Sequence, residues 1–337
     1  MSGGRGERKV TGEAEIIACL APLTARFPGA FALSDDCAAF APEPGCEIVL
    51  NTDAVAEGVH FLPDDRAADI AWKALAVNVS DLAAKAARPR IFLMALAFPD
   101  APEREWIADF ARGLAEAQQR FGIELAGGDT DRRPGPLSVT ITALGEAPAG
   151  RMVRRGAARP GDVLYVSGTL GDAALGLRLR TKPGAAGGWR LSTEQVEALV
   201  ARYRRPEPRV ALRDTLRTHA RAAMDLSDGL AKDLGRMAKA SACGARVSLP
   251  KLPQSTAMEA VAIVDAASAM AARLSGGDDY EVLAAVDPSA AADFEQSSAR
   301  CGVRVTAIGN MTREPEVLFL DDEGRPITVT HAGWDHF

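Results

Sequence analysis

The feature that most constrains this chain is a pattern that runs, stops and starts again. Apolar runs of strand length alternate with helical stretches as far as Leu144, break at Glu146-Ala-Pro-Ala-Gly150, and then resume. Small residues with Pro and Gly mark a linker. Strands and helices mixed on both sides of it predict two domains of α/β or α+β type, 13–148 and 151–337, behind a loose tail over residues 1–12. The 337 residues are too many for one small core. Before the break the pattern predicts a helix over Glu13–Leu23, a strand over Cys46–Thr52, a helix over Ala67–Ala87 and a strand over Ile91–Phe98. A helix over Pro102–Phe121 follows, then a strand over Ile123–Ala126, a glycine turn, and a strand over Leu137–Leu144. After it come strands over Val163–Ser167, Ala222–Leu226, Val282–Val286 and Val303–Ile308. Helices are expected over Asp172–Arg180, Thr193–Arg204 and Gly229–Ala240, with a loop over Lys182–Gly188. Trp106, Phe110, Leu114 and Phe121 fall near one helical face and read as core.

Composition removes several function classes. The net charge of -6 and pI near 5.4 leave no basic field, which disfavours nucleic acid as a partner. Five cysteines without a CxxC pair argue against a disulfide framework or zinc site, and fit a reducing cytoplasm. No apolar run approaches a membrane span, so no membrane partner is expected.

The aspartates fall at places where sites are built. Asp35 and Asp36 lie side by side in the opening loop, and Asp53 ends the run Asn51-Thr52-Asp53. Asp81 interrupts an apolar helix. Asp129 follows Gly127-Gly128, Asp225 and Asp228 straddle a strand end and a helix start, and Asp278-Asp279 follow Gly276-Gly277. Each has a bland reading: Ser227 or Asp228 as a helix cap, Asp129 in an Asx turn, Asp81 paired with Lys85. Four strand-end loops with Asp beside Gly weaken those readings together, because α/β sheets put their sites at strand ends. Scattered hard oxygens suit Mg2+, which binds a few carboxylates plus substrate phosphates. A nucleoside triphosphate among bare aspartates needs such ions between protein and phosphate. P-loop, GxGxxG and protein-kinase signatures are all absent, so an ATP site here is of another kind. Glycine turns would let backbone approach phosphate, with Arg154 or Arg155 adding positive charge.

At these residues the chain resembles the thiamine-monophosphate kinase family, within the superfamily of aminoimidazole ribonucleotide synthetase, selenophosphate synthetase and a hydrogenase-maturation protein. The motifs in order are LSDDCAAF, NTDAVAEGVHF, AWKALAVNVSDLAAKAARP, AGGDT, VRRGAARPGDVLYVSGTLGDAALGL, MDLSDGLAKDL, SGGDDYEVL and GWDHF. The resemblance implies direct in-line transfer of the γ-phosphoryl of ATP to thiamine monophosphate, with several Mg2+ ions and no protein nucleophile. It implies metal ligation by Asp35, Asn51, Thr52, Asp53, Asp81, Asp129, Asp225 and Asp228. Gly128, Asp129, Arg154 and Ser227 would meet ATP; His60, Asp278 and Trp334 would meet thiamine monophosphate. It also implies an N-terminal α/β domain that binds ATP and Mg2+ and pairs its sheet across a homodimer, a C-terminal α+β domain, and an active site in the cleft between them near the dimer interface. Three positions depart from the family pattern: Ser34 and Ala86 stand where glycine is usual, and Asp278 where glutamate is. Another ATP-dependent synthetase of the superfamily is the main alternative, and a non-catalytic nucleotide-binding protein is a second. Asp36 is expected to turn away from the metal side, since neighbours on an extended chain face opposite ways.

Overall fold

A computed structural model describes residues 9–182, 184–329 and 333–335. The chain divides into two compact units, residues 1–82 with 87–150 and residues 83–86 with 151–337.

In the first unit, β1 (Cys46–Ala56), β2 (Arg88–Phe98), β3 (Glu124–Arg132) and β4 (Ser138–Pro148) form one sheet in the order β1-β4-β2-β3. β4 runs antiparallel to both neighbours, and β2 and β3 are parallel. Helix α1 (Glu13–Leu20) precedes the sheet, α2 (Ala67–Ala84) joins β1 to β2, and α3 (Arg104–Phe121) makes the crossover a parallel pair requires. α2 is buried nearly all round, including Lys73, Asn78 and Ser80, so its polar groups must find partners inside. α3 buries Phe110, Leu114 and Phe121, while Trp106 stacks on Phe110 at 5.2 Å and meets Phe98 edge-on at 5.6 Å. One sheet face is core (Phe92, Met94, Leu96, Ile141); the other exposes Ile48, Leu50 and Leu93.

The glycine turn expected after Ala126 does not form. β3 runs unbroken, and Gly127-Gly128-Asp129 pair with Leu93-Met94-Ala95 of β2 beyond a register shift at Phe92/Leu93. A Cβ on Gly128 would stand 1.9 Å from the carbonyl oxygen of Met94, so this glycine lets two strands close on each other. Residues 1–8 of the expected tail lie outside the described residues; beyond them Lys9 bridges Glu103, and the Val10 N–H donates to the Pro102 carbonyl at 3.0 Å.

The second unit holds β5 (Val163–Ser167), β6 (Ala220–Leu226), β7 (Gly244–Ser248), β8 (Glu281–Val286), β9 (Val305–Thr312), β10 (Val317–Leu320) and β11 (Pro326–Ile327). Their order is β11-β10-β7-β9-β5-β8-β6. Its helices are α4 (Asp172–Thr181), α5 (Ala185–Trp189), α6 (Thr193–Arg204), α7 (Arg213–His219), α8 (Leu230–Ala240), α9 (Thr256–Val264), α10 (Ala266–Ser275) and α11 (Ala291–Arg300). Both sheet faces are covered: Leu164, Met224 and Leu283 enter one core, Tyr165, Val282 and Phe294 the other. That is why β8 reads as an unbroken apolar run. The loop expected over 182–188 is partly α5, whose Trp189 is buried beside Leu199 and Met258. The alanine-rich stretch 256–275, for which no element is expected above, folds as α9 and α10.

Candidate active site

The opening loop places its strain upstream of the aspartates. Phe31, Ala32 and Leu33 have φ of 48°, 54° and 57°, a conformation that costs non-glycine residues about 1–2 kcal/mol each. Ser34 lies at φ -99°, so serine here carries none of the strain that glycine would relieve. Its hydroxyl donates to the Phe31 carbonyl at 2.6 Å. Asp35 accepts the Cys37 N–H at 3.4 Å. Both Asp35 and Asp36 line a groove with Leu93, Gly128, Asp129 and Thr142.

Strand alternation divides the acids of the first unit. On β1, Asn51 and Asp53 face α2. The Asn51 side-chain N–H donates to Asn78 and to Asp81, each at 3.2 Å, and the Asn78 amide oxygen accepts the Asp53 backbone N–H at 3.0 Å. β1 is an edge strand, so Asn78 supplies the partner that a neighbouring strand otherwise would. Asn78 also donates to the Ala74 carbonyl at 3.0 Å, which locks its own orientation. The Asn51 Oδ1 is buried without a hydrogen-bond partner among the described residues, next to Asp81 and Asp53. Thr52 faces the other way: its hydroxyl donates to the Ile141 carbonyl and accepts from Thr142, both at 3.1 Å. Asp129, opposite Ala95, shares that face. The expected ligands of this unit therefore form two groups, Asn51, Asp53 and Asp81 on the helix side and Asp35, Thr52 and Asp129 on the open side. The resemblance implies them as one set; the pleat turns Thr52 to the side of β1 opposite Asn51 and Asp53.

His60 sits in the turn after β1. Its Nδ1 accepts the Ala56 N–H at 3.1 Å, which puts the ring proton of the neutral form on Nε2. Its carbonyl accepts from the buried Lys73 ammonium at 2.8 Å. Ala86, just past α2, lies at φ 60°, so the glycine-favouring conformation persists without glycine.

In the second unit, backbone bonds gather the expected residues. Asp225 is buried near the end of β6, and the loop Ser227-Asp228-Gly229 leads into α8. The Asp278 N–H donates to the Ser227 carbonyl at 2.9 Å, and the Trp334 N–H to the Asp228 carbonyl at 3.0 Å. Neither Ser227 nor Asp228 caps α8. Instead Asp233, wholly buried, reaches back and accepts the N–H groups of Ser227 at 3.1 Å and Asp228 at 3.0 Å. Burial, with the nearby Asp228 and Asp225 carboxylates, pushes Asp233 up to about 6 against the pull of the Asp228 N–H and Arg236. Arg236 ties Asp233 at 2.8 Å to the Asp228 carboxylate at 2.7 Å. Sequence reading missed Asp233 and Asn78, because each shares its helix with other polar residues and no local signal singles it out.

Asp278 and Tyr280 lie at φ 67° and 50°. Aspartate tolerates this conformation better than most residues. The alternate residues Asp279 and Glu281 anchor the segment from below. Asp279 accepts the Gly171 N–H at 2.9 Å, and burial drives its carboxyl well above the ordinary value. Glu281, fully buried, takes Ser167 at 2.5 Å, Arg202 at 2.9 Å and Arg209 at 2.6 Å. Arg154 and Arg155 are both exposed, and their carbonyls accept from Ala223 and Ser241.

Hard oxygens without thiol or imidazole partners, with an unsatisfied amide oxygen among them, fit Mg2+ in donor chemistry. A trio elsewhere, Glu43, Cys46 and Glu146, has metal-ligand spacing, but Arg88 and Arg90 bind its two carboxylates and make it an ion-pair cluster. His336 and Phe337 of the terminal motif lie outside the described residues.

Two family profiles match, AIR synthase related protein, N-terminal domain, over residues 34–147 and the C-terminal domain over 159–321. The chain is 43% identical over 94% of its length to the thiamine-monophosphate kinase of Caulobacter vibrioides, covering 88% of it. It is 42% identical over 90% of its length to that of Salmonella typhimurium, covering 91%. A crystal structure of thiamine-monophosphate kinase from Stenotrophomonas maltophilia matches with a TM-score of 0.83 at 37% identity, over 94% of this chain and 98% of that one. AaThiL complexed with AMPPCP and TMP matches with a TM-score of 0.76 at 28% identity, over 93% and 98%.

Proposed function

The chain belongs to the thiamine-monophosphate kinase family, and from that premise we propose that it transfers the γ-phosphoryl group of ATP to thiamine monophosphate, giving thiamine diphosphate and ADP. The observation that carries this reading is the likeness, over nearly the whole of both chains, to a protein solved with AMPPCP and TMP. A terminal phosphate oxygen of thiamine monophosphate attacks the γ-phosphorus, and the bond to the β-bridging oxygen breaks. Such a transfer needs in-line positioning and charge neutralisation rather than a protein nucleophile.

Asn51, Asp53 and Asp81, with Asp35, Thr52 and Asp129, are assigned to magnesium, as are Asp225 and Asp228. The orphaned Asn51 Oδ1 supports the first group. Mg2+, when bound, offsets phosphate charge that the carboxylates alone would repel. Thr52 has its hydroxyl engaged within the sheet, which makes it the weakest member. Gly128, Asp129, Arg154 and Ser227 are assigned to ATP. His60 would offer its Nε2–H to a phosphate oxygen, Asp278 would face the substrate, and the Trp334 ring, 51% exposed, would take the cationic thiazolium.

The N-terminal domain is read as binding ATP and Mg2+ and as pairing in a homodimer, the C-terminal domain as completing the substrate site. Ile48, Leu50 and Leu93 on the open sheet face support the pairing, because contiguous exposed apolar groups mark contact surfaces. Five free cysteines accord with a reducing cytoplasm, and no described helix is long and apolar enough to cross a membrane.

The deciding assay supplies ATP, Mg2+ and thiamine monophosphate. Thiamine diphosphate and ADP should appear in equal amounts; ATP consumption without thiamine diphosphate overturns the reading. Sedimentation of Leu50→Glu should give the monomer mass where the parent gives a dimer, and a monomeric parent removes the pairing.

A further inference from the structure

The terminal motif has a physical logic beyond its tryptophan. Gly333 passes so close to the Asp228 loop that a Cβ on it would stand 2.4 Å from the Asp228 carbonyl oxygen and 2.9 Å from the Lys232 Cβ. The Trp334 N–H donates to that same carbonyl at 3.0 Å. The Lys232 ammonium donates to the Trp334 carbonyl, lies 3.4 Å from the Asp228 carboxylate and 3.7 Å from that of Asp335. The backbone bond holds the N-terminal side of Trp334, and Lys232 ties its C-terminal side, the Trp334 carbonyl and Asp335, to the carboxylate of the same aspartate loop. Trp334 as a whole is half exposed.

We infer that Lys232 is a positioning residue for substrate: it holds Trp334 in register with the Asp228 loop, so that the aromatic platform for the thiazolium end is set relative to the loop assigned to metal and nucleotide. The inference rests on the reading of Trp334 as a thiamine contact. Lys232 itself touches neither substrate. Replacing it leaves the Asp228 carboxylate paired with Arg236 at 2.7 Å, so no bare buried charge results.

The test is steady-state kinetics of Lys232→Met, which keeps the apolar stem, with Lys232→Gln as a second variant should the first fold poorly. Loss of one charge-assisted tether should raise KM for thiamine monophosphate about tenfold, with kcat and KM for ATP within about twofold. Lys232→Arg should recover most of the loss. The double variant Lys232→Met/Trp334→Ala should be no worse than Trp334→Ala, because residues acting through one another are not additive. An unchanged KM for thiamine monophosphate, a parallel loss in all constants, or additivity in the double variant overturns the inference. A parent protein that forms no thiamine diphosphate removes the functional reading and this inference with it. An active parent beside an indifferent Lys232→Met removes this inference alone.

Discussion

The two units hold their carboxylates in opposite ways. In the first, Asp53 and Asp129 sit on a sheet and are held through their own backbone, Asp53 by the Asn78 side-chain amide on its N–H and Asp129 by the β2–β3 ladder. In the second, Asp228 stands on a short loop and is braced by side chains, with Arg236 and Lys232 at its carboxylate and Asp233 beneath its N–H. A sheet carries rigidity in its own hydrogen bonds; a loop between strand and helix must borrow it from packed neighbours. Removing an acid from the first sheet should therefore spare the fold, whereas removing the buried brace Asp233 should damage the second unit.

Asp53→Asn gives the largest effect. With a metal ligand neutralised, kcat/KM should fall about a thousandfold or more. Circular dichroism and the urea midpoint should hold, because the Asn78 bond to the backbone survives. Full activity in this variant would take Asp53 out of the ligand set. Asp233→Ala comes next. It strands two loop N–H groups and leaves Arg236 with Asp228 alone, and should cost about 3 kcal/mol in urea unfolding. A variant as stable as the parent would erase the contrast between braced loop and self-supporting sheet. Asn78→Ala should lower kcat about tenfold and stability by about 1–2 kcal/mol, since one edge N–H loses its partner and Asn51 keeps only Asp81. If only stability moves, Asn78 does not position Asp53.

The smallest effect concerns α1. Glu15 accepts from Arg104 at 3.0 Å and from Thr11 at 2.6 Å, and these bonds, Arg104 first, hold its carboxyl down to about 2 from 4.5. A depressed carboxyl contributes its stability above the ordinary value and loses it as the pH falls towards 2. Glu15→Gln should flatten the pH dependence of the melting temperature slightly between 4.5 and 2 and leave pH 7 activity untouched. An unaltered profile would show that solvent screens the pair completely.

Much of the scaffold was legible in sequence. Helix Thr193–Arg204 matches residue for residue because Ser192 and Gln195 form a capping box, a local signal that tertiary context had no reason to override. Phe110 and Leu114 were readable as core from helical spacing alone. The reading of Gly127-Gly128 as a turn failed because glycine serves turns and close strand approach equally, and only the neighbour, Met94, tells them apart. Ser34 looked like a strained departure until the three residues before it proved to hold the left-handed turn.

By itself the sequence determined which residue types are present and which local periods they follow, enough for the α/β character of both halves and for a chemistry of hard oxygens and phosphate. Which side of the first sheet each acid faces, and which side chains brace the Asp228 loop, was decided only by the tertiary structure. The pleat turns neighbours such as Thr52 and Asp53 to opposite sides, and Trp334 meets Asp228 across a separation in sequence that no local period can encode.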